Sequence, residues 1–275
     1  MKRVCFSLLL SLSALALCAC GAKTPAQTLA QAEKNLQKVQ SAAFTAELSA
    51  SMTLQGRDVT VQVSSAGQVC TAPARMHAQT SVHLGSLGSI QRESYAQICD
   101  GQLVVYLTDG SGSWQKTVLD APAQASEGAQ GLQAPFPLSN AAARQDVQTL
   151  DGEPVVRYDG TISPEQVQQA LYAGGLWQAL GMEQPEADDA PQLPAVPISV
   201  FLSRQRQLPV RYALDLNALM HALLQRLASR LGSDPPQLRS VQCVITLSSF
   251  DEIPDIVIPE EAEQAQQAQT AEPNR

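Results

Sequence analysis

The chain has 275 residues, 18 of them basic and 26 acidic, for a formal net charge of −8 at pH 7, and only 4% of them are aromatic. An acidic surface of this kind argues against nucleic acid and against simple electrostatic attraction to anionic lipid. The length suits one large domain or two small ones, and no composition shift marks an internal boundary, so a single domain is expected.

The start is the most specific segment. Met1-Lys2-Arg3 is basic, the run from Val4 to Leu17 is apolar, and Leu17-Cys18-Ala19-Cys20-Gly21 follows. This is the layout of a secretory leader, shorter than the ~20 residues of a spanning helix. The tetrad ending at Cys20 resembles the bacterial lipobox, in which a small residue precedes a cysteine that is lipidated and then becomes the mature N-terminus. Cys18 fits less well because Leu17 before it is bulky, and an ordinary leader cut at Ala19-Cys20-Gly21 needs no cysteine at all. The expected layout is a leader over residues 1–19, a lipidated Cys20, a domain over residues 20–259 and a disordered polar tail over residues 260–275. Losing Lys2 and Arg3 with the leader takes the net charge to −10, so the membrane attachment expected here is covalent, lipid-anchored and on the extracytoplasmic side, at the cell membrane or facing the periplasm.

Thr24-Pro25-Ala26-Gln27 reads as a capping box with proline at the first helical position, and Leu29, Ala32, Leu36, Val39 and Ala43 make one helical stripe. From Phe44 the period changes to two, with Phe44, Ala46, Leu48, Ala50, Met52 and Leu54 set against polar neighbours. The same alternation returns at Val59 to Val63, Met76 to Leu84, Tyr95 to Cys99, Leu103 to Leu107 and Trp114 to Leu119. Asp100-Gly101 between two of these runs is a strong hairpin signal. Six consecutive strands with short links predict an antiparallel meander.

Asp120 to Asn140 reads as an exposed loop, and strands resume around Val155 to Ile162. Ser163-Pro164-Glu165-Gln166 is a second capping box that opens a helical face running to Leu180, and the acidic, proline-rich stretch Gly181 to Pro197 is another loop. A hairpin follows, Ile198 to Leu202 and Val210 to Leu216, then a leucine-rich helix from about Asn217 to Gly232 and a last strand from Val241 to Phe250.

No metalloprotease, dithiol, nucleophile-elbow or phosphate-loop motif stands in the mature chain, so neither an enzyme nor a cofactor is expected. His77 and His83 fall on the polar side of one strand and are read as solvated, with no metal site; His221 is read as structural. The Asp-Gly pairs at Asp100, Asp109, Asp151 and Asp159 are turns rather than calcium loops. Of the three internal cysteines, Cys70 and Cys99 sit near the ends of neighbouring strand candidates and form the best disulfide pair; the other reading has all three, with Cys243, as buried thiols.

In the order of its elements the chain resembles the bacterial lipoproteins of the LppX and LprG type and, more remotely, the LolA and LolB carriers and the RseB sensor. Four stretches carry this: the helix directly before Phe44-Thr45-Ala46-Glu47-Leu48; Asp100 to Tyr106 leading to Trp114-Gln115-Lys116; Tyr158 to Ile162 leading into a helix; and Phe250 to Pro259. The resemblance implies an α+β fold, LolA-like, in which an antiparallel sheet curved into a half barrel has helices over its concave face and receives acyl chains between them. It assigns no ligand-binding residue. The two functions it implies are binding of a lipid or acyl chain and, as the alternative, an anchored envelope sensor or protein-interaction module with no ligand.

Overall fold

The computed structural model describes residues 24–54, 56–108, 112–120, 131–132, 134, 137–138, 141–173 and 193–265. The leader, Cys20, most of both long loops, Gly174 to Leu180 and the chain beyond residue 265 lie outside the described residues.

The first helix, α1 (Pro25–Leu36), starts on the capping box read from the sequence. Thr24 Oγ1 accepts the Gln27 N–H at 3.3 Å, and Gln27 Oε1 accepts the Thr24 N–H at 3.0 Å, which satisfies two of the amides a helix start leaves bare. Leu29, Ala32 and Leu36 are buried. The stripe stops there: Val39 is buried in the link, and Ala43, expected on the helix, belongs to the first strand.

Six strands follow as a meander: β1 (Ser41–Leu54), β2 (Arg57–Thr71), β3 (Ala74–His83), β4 (Ser89–Cys99), β5 (Gln102–Thr108) and β6 (Trp114–Asp120). The β4–β5 hairpin turns at Asp100 and Gly101 with φ of 51° and 72°. Both central residues are left-handed, the primed turn that suits the twist of paired strands and the reason Asp-Gly marks it. A second meander runs through β7 (Ala141–Leu150), β8 (Glu153–Ile162), helix α2 (Pro164–Ala173), β9 (Val196–Ser203), β10 (Pro209–Asp215), helix α3 (Asn217–Leu231) and β11 (Gln237–Ser248). α2 opens on its predicted capping box, with Ser163 and Gln166 bonded reciprocally at 3.1 and 3.4 Å, and α3 closes on Gly232 at φ 62°.

β7 lies between the loop expected to end at Asn140 and the strand expected from Val155, where no element was assigned. Its Ala-Ala-Ala-Arg-Gln-Asp start has no alternating pattern, and its pairing with β8 shifts register twice. The Asp151-Gly152 turn, with φ of 50° and 84°, makes it a hairpin partner of β8.

Among the described residues, eleven strands form one antiparallel sheet in the order β6-β5-β4-β3-β2-β1-β11-β10-β9-β8-β7. The sheet is not closed, since β6 and β7 are its edges. The first and last strands pair in the middle, with Ala43 opposite Ser248 and Ala46 opposite Ile245, and so join a six-stranded half (β1–β6) to a five-stranded half (β7–β11).

Register assigns every strand residue to one of two faces. Ala46, Ile245, Tyr212, Val200 and Tyr158 stand in one transverse row. Tyr212, Val200 and Tyr158 share a buried cluster with Leu29 and Ala32 of α1, Val167 of α2 and Leu219 and Leu223 of α3. This helix-bearing side is the inner face. Helix cover over a whole face was expected; among the described residues the helix contacts on this face are chiefly with β7, β10 and β11.

The end of the chain also departs from expectation. After β11 the backbone turns through Ser249 and Asp251, both left-handed at φ 49° and 59°. It then crosses to the other, outer face of the six-stranded half, where Ile256 and Ile258 join the cluster of Cys70, Tyr95, Val104 and Tyr106. Residues Glu260–Glu263 form a short helix, α4, with Ala262 buried, so order continues past residue 259 into what was read as a polar tail. The polar composition hides one small apolar contact that seats this turn on β5 and β6.

Candidate functional site

On the five-stranded half the inner face is closed. Leu29, Ala32 and Tyr212 are 0% exposed, and Ile162, Val196 and Val200 are buried beside them. A crevice of about 160 Å³ runs between α1 and β8–β9, lined by Thr28, Ala32, Tyr158 and Leu202 among others. That is below the ~300 Å³ at which pockets for small-molecule ligands begin. The Tyr212 hydroxyl has no hydrogen-bond partner among the described residues, and burial, with Glu33 nearby, pushes its pKa well above the ordinary tyrosine range.

On the six-stranded half the same face is different. Phe44, Leu48, Met52, Val61, Val63 and Val82 are only half-buried, and Ile90 and Leu119 are 45% and 47% exposed. Small residues between them, Ala42, Ala50, Ala78 and Ala96, are buried by their neighbours. The pattern is that of a core-facing sheet surface, yet much of it is in contact with water. No carboxylate stands among the described strand residues of this face; its charged side chains are Arg57 and Arg92, both exposed.

The outer face of this half holds Tyr95, Tyr106 and Trp114. Tyr95 lies between His77, stacked at 4.5 Å between ring centroids, and Trp114 at 5.7 Å. His77 Nε2 is 2.8 Å from Glu93 Oε1, and the Tyr95 hydroxyl donates to the same oxygen at 3.2 Å. His77 is thus half-buried and partnered, which corrects the reading of two solvated histidines; His83 is exposed. Burial and the adjacent Glu93 raise the Tyr95 pKa above its ordinary value.

The C-terminal strap covers this cluster. The Gln40 and Ser41 amides donate to Asp251 Oδ1 at 2.6 and 3.3 Å. The Arg75 guanidinium donates to the Ile256 carbonyl at 2.9 Å, and the Cys70 thiol lies 3.7 Å from the Pro254 carbonyl. Burial pushes the Cys70 thiol up, and the charge of Asp255 adds to this. An outer-face depression of about 480 Å³ nearby is lined largely by polar residues such as Gln79, Gln91, Glu93 and Thr108.

The predicted site residues fare unevenly. Cys20 lies outside the described residues. Cys70, Cys99 and Cys243 are all free thiols, and the proposed bridge fails on register. Cys70 pairs with Arg75, Arg75 with Gln97, and Cys99 lies two residues further along β4. β3 separates the two cysteines, so their Cα atoms are at least about 10 Å apart, beyond the ~7 Å a disulfide spans. Cys243 stands on the inner face beside the main core, where burial raises its pKa. Sequence reasoning missed the arginines of the open face; their signal was the lack of any acid among the inner positions of an acidic chain.

No family model matches the chain, and no curated protein does. Among solved structures it is similar to the lipoprotein LppX of Mycobacterium tuberculosis, at 14% identity and a TM-score of 0.44, over 84% of this chain and 97% of that one. It is similar to LprF of Mycobacterium bovis at 12% identity and a TM-score of 0.40, over 86% and 97%. A putative outer membrane lipoprotein-sorting protein domain from Vibrio parahaemolyticus is more distant, at 8% and 0.23, over 82% and 90%. The lipoprotein type named from the sequence is thus met again among these structures. Likeness at these values transfers neither ligand nor anchor to this chain.

Proposed function

We propose that the chain is a lipid-anchored, extracytoplasmic lipoprotein whose six-stranded half binds a hydrophobic ligand, a lipid or acyl chain, on its inner face. The observation that carries this reading is that face itself: an aliphatic ladder with the composition of a protein core, open to water next to a half of the same sheet where helices close it. A contiguous apolar sheet face in partial contact with water is a common mark of a binding surface. Each 100 Å² of it covered by an acyl chain stabilises the complex by about 2.5 kcal/mol before ordering costs.

In this reading residues 1–19 are the leader, Cys20 is the lipidated mature N-terminus, and the folded domain that follows performs binding without chemistry. Two measurements test it. Protein purified from bacteria carries lipid in native mass spectrometry, and Cys20 incorporates labelled palmitate. A clean apo mass with no uptake of fluorescent lipid overturns the ligand, and failure of palmitate labelling overturns the anchor. Stoichiometric crosslinking to an envelope protein, with no lipid, favours the interaction module instead.

A further inference from the structure

Resting on the lipid-binding reading, we infer that the open inner face selects an amphiphile with an anionic headgroup, seated on a polar row formed by Ser65, Thr80 and Arg92. Ser65 of β2 is directly opposite Thr80 of β3, and Thr80 opposite Arg92 of β4, so the three project side by side from one face. The two hydroxyls are 3.0 Å apart and bonded to each other. At about 4.8 Å per strand, the row spans roughly 10 Å across the sheet, the scale of one phosphate or carboxylate with its donors.

Mostly apolar rows flank it on both sides: Val63, Val82 and Ile90 toward the β1–β2 turn, and Phe44, Ala78 and Leu107, with Ser94 between the last two, toward the other end. A head bound at the row leaves its chains to lie along the strands over these side chains. Charge points the same way. The protein carries net charge −8, yet the described strand residues of this face hold no carboxylate, and Arg92 is exposed with no hydrogen-bond or ion-pair partner among the described residues. Arg57, the other cation, stands at the far end of β2, eight residues from Ser65. A guanidinium with adjacent hydroxyls and no competing acid among the described strand residues of its face binds an anionic oxygen through charge-assisted hydrogen bonds.

The test uses the full chain in non-ionic detergent micelles containing equal amounts of phosphatidylglycerol and phosphatidylcholine with matched acyl chains, with adducts counted by native mass spectrometry. Phosphatidylglycerol adducts exceed phosphatidylcholine adducts at least fivefold; Arg92→Gln brings the ratio near one at unchanged thermal stability, and Arg92→Lys keeps most of it. Equal adducts in the unaltered chain, or a ratio untouched by Arg92→Gln, overturn the headgroup assignment and leave lipid binding standing. No adduct of either lipid overturns the reading beneath it as well. Displacement of bound lipid by millimolar inorganic phosphate shows a free-anion site and overturns the lipid headgroup as its source.

Discussion

The two halves of the sheet follow the same alternation of apolar and polar residues and use it for opposite ends. On β7–β11 the inner positions meet α1, α2 and α3 and become a core in which Leu29 and Tyr212 are 0% exposed. On β1–β6 the larger aliphatic side chains at these positions stay partly exposed, while Ile256, Ile258 and Ala262 pack on part of the outer face. Alternation therefore reports that one side of a strand is apolar, but not which neighbour, if any, will cover it.

The largest test of this contrast compares one truncation in each half. Leu29→Ala removes a side chain from a closed core and lowers stability by about 2–5 kcal/mol in urea unfolding, whereas Val63→Ala on the open face costs less than about 1 kcal/mol. Comparable losses at the two positions mean that the open face is packed like the closed one. Ending the chain at Glu252 removes buried Ile256 and Ile258, with an expected loss of about 2 kcal/mol after the ordering cost of the strap is discounted. The same truncation uncovers the Cys70 thiol. In the full chain Cys70 alkylates only at a pH above the ordinary thiol range, because burial, then Asp255, raise its pKa; in the shortened chain labelling begins at lower pH. An unchanged labelling profile dissociates the strap from Cys70.

A smaller effect of opposite sign is expected at Tyr212. Its buried hydroxyl lacks a partner among the described residues, so Tyr212→Phe raises stability by about 1 kcal/mol, read from the urea midpoint at constant slope. A loss instead shows that the hydroxyl is satisfied. At the edge of the closed half, Thr24→Ala removes the α1 cap and costs about 0.5–1 kcal/mol, followed by thermal unfolding.

Much of the fold was legible in the sequence because it rests on local chemistry. Both capping boxes, the Asp100-Gly101 turn, Gly232 and the six-strand meander follow from residues within a few positions of one another. β7 was not legible: it is held by its partner β8 and lacks an alternating pattern of its own. The strap was missed because its three buried contacts, Ile256, Ile258 and Ala262, are spaced through a segment of proline and acid. The candidate site was half legible. The aliphatic strand positions announce an apolar surface, but the row of Ser65, Thr80 and Arg92 exists only once three strands are in register. Gly131 makes the same point: it stands at φ 93°, and a Cβ there would collide with the Gln37 backbone, which no local pattern foretells.

The central pairing of β1 with β11 joins residues about two hundred positions apart, Ala43 with Ser248. A growing chain completes its first strand long before the last exists, and until then β1 offers a bare row of amides and carbonyls along one side. Assembly speed is therefore limited by a late arrival, and the interval invites wrong pairing with other copies. A circular permutant that joins the strap to α1 through a flexible linker, with new ends opened between β6 and β7, brings β11 nearer to β1 in sequence, and should refold faster and aggregate less than the natural order.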